Sequence, residues 1–246
     1  MDPQALSTAL VTGGARRIGA ACVRALAQRG LSVVIHHHAS HAEAEALRAE
    51  IFAQGGQAQV LQADLADATQ TGTLIARAET LLGQQPITLL VNNAAIFEQG
   101  ALRETSHAQW ERHLAINLTA PFLLTRDFAR RLPSGMPGQV IQLIDRYAHH
   151  PRPGYAAYSA AKSALWTLTR QAALELAPAI RVNAIGPGPI LPAPGDSAER
   201  FARIGAATPL TRAGNLDDLT AALLFLIDNP FITGELIRVD GGEHLR

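Results

Sequence analysis

Seven short apolar runs punctuate the chain, at residues 9–12, 32–36, 59–61, 88–91, 140–144, 181–185 and 236–239. Several lack polar alternation, as strands do when both faces of their sheet are covered. Helical spacing of apolar positions fills most of the intervals, over 18–29, 42–54, 69–82, 105–132 and 158–176. The 105–132 stretch predicts two helices broken near Asn117. Strands and helices in alternation predict an α/β fold, a doubly wound parallel seven-stranded sheet with helices on both faces. No linker or repeat interrupts it, so residues 1–246 read as a single domain. After the sixth strand the alternation stops. Residues 186–214 hold Pro187, Pro189, Pro192, Pro194 and Pro209, which predicts a substrate lid with a short helix over 198–204.

Composition narrows the class. A net charge of zero and a pI near 7.1 give no sign of a nucleic-acid or anionic-membrane partner. The longest apolar run, 221–227, is too short to span a bilayer. The start, Met-Asp-Pro-Gln, has no basic-then-apolar leader, which predicts a cytoplasmic protein. The single cysteine, Cys22, falls inside an apolar helical pattern and reads as a core thiol.

The first predicted strand runs into Gly13, Gly14, Ala15, Arg16, Arg17, Ile18 and Gly19, and then into a helix. Glycines let backbone turn tightly and approach a pyrophosphate at a helix N-terminus, the arrangement of a Rossmann-like dinucleotide site. Sites for NAD carry an acid at the end of the second strand. Here that end reads His36, His37, His38, Ala39, Ser40, with no carboxylate before Glu43. Arg16, Arg17, His38 and Ser40 are suited instead to a 2′-phosphate, so NADPH is the expected cofactor. The histidine run reads as solvent-facing strand-end residues, one or two of them touching phosphate. Consecutive strand residues point to opposite faces and cannot chelate together, so no metal is expected. Asp64, after the third strand, either accepts from an adenine amino group or belongs to a helix-capping region. Asn92, Asn93, Ala94 and Ala95 end the fourth strand beside the point where strand order reverses.

Tyr158 and Lys162 are four apart and share one helical face. A neighbouring ammonium is expected to lower the pKa of the phenol and make it a usable acid or base. Tyr155 has no lysine one turn later.

Taken together, these residues resemble the short-chain dehydrogenase/reductase family over essentially the whole chain. The matching positions are 12–19, Asp64 with Leu65, Asn92 to Ala94, Asn117, Tyr158 with Lys162, Pro187 with Gly188, and Val239 to Gly242. The resemblance implies that Tyr158 is the acid/base, that Lys162 holds the nicotinamide ribose, and that Asn117 serves a water relay. It also implies cofactor contacts from Gly13, Arg16, Arg17, Ile18, Gly19, Asp64, Leu65, Asn93, Ala94, Ala95, Pro187 and Gly188.

One departure carries information. The family usually has a serine thirteen residues before the tyrosine, and Asp145 stands there. A hydroxyl donates to a ketone oxygen, whereas an ionised carboxylate only accepts. An aspartate suits a substrate that presents N–H donors and takes a proton on nitrogen, as a C=N bond in an amino-substituted heterocycle does. The pattern resembles the pteridine reductase branch, including bacterial dihydromonapterin reductases, with Arg17 in the glycine turn and Phe97 shortly after Asn-Asn-Ala. Ala39 and Ala95 depart from that branch, which has arginine and serine there. The resemblance implies a pterin stacked between the nicotinamide and Phe97, with Asp145, Tyr158, Arg17 and Pro189 around it. It further implies a homotetramer, with Arg246 reaching a neighbour's pocket. Reduction of a ketone such as a 3-oxoacyl thioester is the alternative activity. An idle NADP-binding sensor is disfavoured by the intact Tyr158/Lys162 pair.

Overall fold

The computed structural model describes residues 6–193 and 195–245. The strands are β1 (Thr8–Val11), β2 (Ser32–His37), β3 (Ala58–Gln62), β4 (Leu89–Asn92), β5 (Gly138–Leu143), β6 (Ile180–Pro187) and β7 (Leu236–Val239). They form one parallel sheet in the order β3-β2-β1-β4-β5-β6-β7, with every neighbouring pair parallel. The order reverses between β1 and β4, so a crevice opens at their C-terminal ends. The helices are α1 (Arg17–Gln28), α2 (His41–Ala53), α3 (Ala68–Leu81), α4 (His107–Leu114), α5 (Ala120–Arg131), α6 (Ala156–Leu176), α7 (Ala198–Ala206) and α8 (Leu216–Asp228).

Successive strand residues feed opposite cores. Ala9, Val11, Val33, Ile35, Leu89 and Val91 pack into one cluster with Leu26, Leu47 and Leu223. Leu10, Val34, Leu90, Val140 and Val182 pack into the other with Leu74, Leu124 and Phe128. Both faces are therefore dry, which explains the unbroken apolar runs.

Two elements differ from expectation. Two α-helices do flank Asn117, but the interruption between them is not a loop. Residues Ala115–Thr119 form a single π-helical turn that joins α4 to α5, and the flanking residues keep right-handed helical dihedrals. Second, α8 lies after the proline-rich segment, where no helix is predicted. Its start is a capping box: Asn215 accepts from the Asp218 amide, and the Asp218 carboxylate accepts from the Asn215 amide. The buried stripe of this helix is Leu219, Ala222, Leu223, Leu226 and Ile227, and the helix packs against α1. Among the described residues no helix is long and apolar enough to cross a membrane.

Candidate active site

The glycine turn between β1 and α1 is shaped by contacts that forbid side chains. Gly13 has φ +60°, and a Cβ on Gly19 would fall 2.1 Å from the Gly13 carbonyl oxygen. The Asn93 side chain pins the turn from β4 by donating to the carbonyls of Thr12 at 2.8 Å and Gly13 at 3.0 Å. A groove of about 450 Å³ runs over this turn, lined by Gly13, Arg16, Arg17, Ile18, His38, Ser40, Asp64, Leu65, Asn93, Ala94 and Ala95 among others. The bare backbone of the turn opens onto the groove at the N-terminus of α1, a cradle that fits a pyrophosphate.

At the end of β2 the histidines are not solvent-facing as expected. His36 and His37 are both buried. The His36 ring is a bridge: Nδ1 accepts from the Gly13 amide at 3.1 Å, and Nε2 lies 3.1 Å from the Ala63 carbonyl. A carbonyl can only accept, so Nε2 carries the proton and the ring is neutral. Burial pushes its pKa down to about 4. His38 alone of the three is solvent-exposed, with Nε2 3.9 Å from Asp64 Oδ2. Glu43 does not act as a strand-end acid; it faces Arg16 at 3.6 Å. Ser40 sits at the N-cap of α2 and its side chain makes no capping bond. Asp64 accepts from the Ala66 amide at 2.9 Å in a local turn, while Asp67 caps α3.

Across the switch point, the segment after β5 delivers Asp145 and α6 delivers Tyr158 and Lys162. The Tyr158 hydroxyl donates to Asp145 Oδ2 at 3.1 Å, and the Tyr147 amide donates to Oδ1 at 3.0 Å. Burial raises the pKa of Asp145, and burial together with the Asp145 charge raises that of Tyr158 well above 10. The net shift of the phenol is therefore upward, with burial its largest cause, whereas the spacing from Lys162 predicts a downward one. The Lys162 Nζ donates to the Leu143 carbonyl at 2.7 Å and stands 5.9 Å from the Tyr158 ring centroid. Burial also brings the Lys162 ammonium down to about 8.

A second pocket, also about 450 Å³, opens on Asp145. One wall is aromatic: Phe97 stacks on Tyr155 with centroids 4.6 Å apart and 7° between planes, on Tyr147 at 5.8 Å, and edge-on to Tyr158 at 4.8 Å. Pro187, Gly188, Pro189 and Leu191 face it from the segment after β6. Gly188 is held against the last strand, since a Cβ there would lie 2.5 Å from the Asp240 Cα. Tyr147, Arg146, Arg152 and Glu243, which no motif in the sequence marks, also line this pocket. Arg146 forms an ion pair with Glu243, and its guanidinium lies 5.0 Å from the Tyr147 ring centroid. No local pattern in the sequence joins residues 146 and 243.

Asn117 is fully buried, and both ends of its amide engage the Ile96 backbone at 2.9 Å. It thereby fixes the segment that presents Phe97. Arg17 adopts φ +53°, uncommon for a residue with a side chain, and its guanidinium donates to the Pro192 carbonyl at 2.7 Å. It lines the cofactor groove and bridges to the proline-rich segment, not to the pocket beside Asp145. Arg246 lies outside the described residues.

Known proteins share both sequence and architecture. A family model described as Enoyl-(Acyl carrier protein) reductase matches residues 13–244. The structure of FolM alternative dihydrofolate reductase 1 from Brucella canis, complexed with NADP, superposes with a TM-score of 0.93. It is 41% identical, over 98% of this chain and 95% of that one. A blue fluorescent protein from a metagenomic library, in complex with NADPH, has a TM-score of 0.87 and 36% identity, over 96% of this chain and 97% of that one. The 3-oxoacyl-[acyl-carrier-protein] reductase of Synechocystis sp. is 36% identical over 240 residues, 95% of each chain. By family model, by relatives and by sheet order, the chain belongs to the short-chain dehydrogenase/reductase family.

Proposed function

We propose that the protein reduces a C=N bond of a dihydropteridine, using NADPH. The observation that carries this reading is the buried pair in which the Tyr158 hydroxyl donates to Asp145. Burial makes both groups hold their protons more tightly than usual. Such a pair delivers a proton to ring nitrogen, directly or through an ordered water. The N–H edge of a pterin can donate to Asp145, a contact that a simple ketone does not offer. The flat wall of Phe97, Tyr147 and Tyr155 suits a planar heterocycle.

The cofactor groove fits NADPH on this chain's own residues. When bound, NADPH supplies the hydride. Gly13 and Gly19 line the groove at the turn, where the pyrophosphate would lie, and Arg16, His38 and Ser40 line the part that would take the 2′-phosphate. Asp64, Leu65, Asn93, Ala94 and Ala95 line the path between adenine and nicotinamide ends. Lys162 would hold the ribose, Tyr158 and Asp145 would move the proton, and Pro187 to Pro189 would close over the reacting ring. Residues 186–214 act as the lid, latched by Arg17 at Pro192. The assembly is a homotetramer, which sedimentation at micromolar concentration checks; a monomer there refutes it.

Ketone reduction is the second reading, favoured by the Synechocystis relative at 36% identity. One assay separates the two. NADPH oxidation is followed with dihydrobiopterin, dihydromonapterin, dihydrofolate and a short 3-oxoacyl thioester. Turnover of a dihydropterin is expected, and turnover of the thioester alone would reverse the assignment.

A further inference from the structure

Phe97 is 40% exposed, so core packing does not fix its ring, and its place depends on the backbone on either side. That backbone, residues 96–100, is fastened along both edges. On one edge, side chains from α4 and the π turn meet it in order. Asn117 engages the Ile96 amide and carbonyl, His113 Nε2 meets the Glu98 amide at 3.4 Å, and the Gln109 side chain donates to the Gln99 carbonyl at 3.0 Å. The three residues are spaced four apart and form one stripe along the helix. His113 is fully buried, and its Nδ1 lies 2.9 Å from the Gln109 carbonyl. A carbonyl only accepts, so Nδ1 carries the proton and Nε2 is left to accept from Glu98. On the other edge the Gly100 amide donates to the Gly154 carbonyl at 2.8 Å, next to Tyr155. Gly100 also packs closely on α4, since a Cβ there would fall 2.9 Å from the Gln109 side chain. The fastenings serve different spaces. Ile96 lines the cofactor groove, whereas Phe97 and Gln99 line the pocket beside Asp145.

We infer that Gln109 and His113 are positioning residues for the reaction: by holding the backbone of Glu98 and Gln99 they set where the Phe97 ring stands for the substrate ring. The inference rests on the pteridine reading above, in which a planar ring stacks on Phe97, and deepens it. Neither residue touches the pocket. Each acts through the strap, on the substrate side of Phe97, while Asn117 holds the cofactor side. A stacking partner displaced by a fraction of an ångström loses contact with the ring it faces, so the two residues govern substrate affinity and leave the proton path of Tyr158 and Asp145 alone.

Binding of 6-methylpterin to the NADP-loaded protein tests this, with Phe97→Ala as the reference. Phe97→Ala is expected to weaken pterin binding about two- to tenfold, the worth of one aromatic pair. Gln109→Met and His113→Leu each remove one fastening and should reproduce part of that loss. His113→Gln keeps an acceptor for the Glu98 amide and should recover part of it. Gln109 is only half-buried, so Gln109→Met carries the test if His113→Leu fails to fold. Affinity for NADPH should stay at the wild-type level, because Glu98 and Gln99 do not line the cofactor groove. In turnover of a dihydropterin KM should rise while kcat at saturating substrate holds, a split that lost stability alone does not produce. Added to Phe97→Ala, either substitution should cost nothing further. Wild-type pterin affinity in the folded Gln109 and His113 variants, a loss that adds fully to that of Phe97→Ala, or wild-type affinity in Phe97→Ala itself overturns the positioning role and leaves the pteridine reading intact. Failure of 6-methylpterin to bind the wild type would instead overturn the pteridine reading, and the inference with it.

Discussion

Tyr158 donates its hydroxyl hydrogen bond to one oxygen of Asp145, while the other oxygen of Asp145 caps the turn at Tyr147. The two oxygens therefore have separable duties. Asp145→Asn keeps an oxygen to accept from the Tyr147 amide, so the loop should hold its shape and the melting temperature should stay near that of the wild type. The carboxyl proton is lost, and turnover of dihydropterin should fall by roughly 10²–10⁴, the usual worth of general acid catalysis. Because the two acids are coupled, the pH profile should change shape and not simply drop. Asp145→Ser should likewise damage pterin reduction while offering a ketone oxygen a donor. Wild-type turnover in a folded Asp145→Asn protein at saturating NADPH would remove Asp145 from the proton path.

Cofactor choice follows from the end of β2. Arg16, His38 and Ser40 line the groove there, and the first acid, Glu43, is turned to Arg16. NADPH should bind more tightly than NADH. Ala39 also lines the groove, and Ala39→Arg would add a fork of donors to the same wall. The preference should widen by about tenfold, since a hydrogen bond to a charged group is worth about 1.5–3 kcal/mol. Titration calorimetry with both cofactors decides it, and equal dissociation constants in the wild type would refute the assignment.

Much of this was legible in the sequence for a physical reason. Strands buried on both faces must be apolar throughout, so Val33 to Ile35 announce themselves as a strand, while residues 221–227 stand out only as an apolar run. The second of these nonetheless escaped as a helix, because a dense apolar stretch has no period to read and its capping box follows a run of prolines. Asn117 was legible as special but not as continuous. Its contacts are to Ile96, and nothing local shows that a π turn can absorb it. The same limit applies at the site. Spacing puts Tyr158 and Lys162 on one face, yet the Leu143 carbonyl that holds Lys162 and the carboxylate that meets Tyr158 come from β5 and the loop after it. His36 reads as a surface residue because the segments that bond its two ring nitrogens, at Gly13 and Ala63, are distant in sequence.

His36 gives an acid limb to stability. Its folded pKa is about 4, below its ordinary 6.5. A depressed value means that the unfolded chain takes the proton first as pH falls. The stability due to this group is full above pH 6.5 and drains away between 6.5 and about 4. The loss amounts to about 3 kcal/mol. Urea unfolding of wild type and His36→Gln at pH 7 and pH 4.5 should show the gap between them narrowing in acid. A gap independent of pH would mean that His36 does not titrate in the buried bridge. NADPH affinity should fall in His36→Gln as well, because the ring holds the Gly13 amide in place.

Lys162 should produce a second rise of stability with pH, in the alkaline range. Burial depresses its pKa from 10.5 to about 8 in the folded state. Between those values the unfolded chain still binds the proton and the folded chain does not, so stability rises with pH across that window. Below pH 8 the ammonium is charged in both states, and the fold carries the cost of burying it, offset in part by the Leu143 carbonyl and the Asp145 charge. Lys162→Met removes the titration and keeps a side chain of similar length. The variant should therefore gain stability relative to wild type at pH 7 and lose that advantage by pH 10. The swing is about 3 kcal/mol at most. Its activity should be low at both pH values, since the charge beside Tyr158 is absent throughout. Unfolding curves at pH 7 and pH 10 that differ by the same amount for both proteins would show that Lys162 keeps an ordinary pKa. The ammonium would then remain charged across the working range and could not account for any alkaline loss of activity.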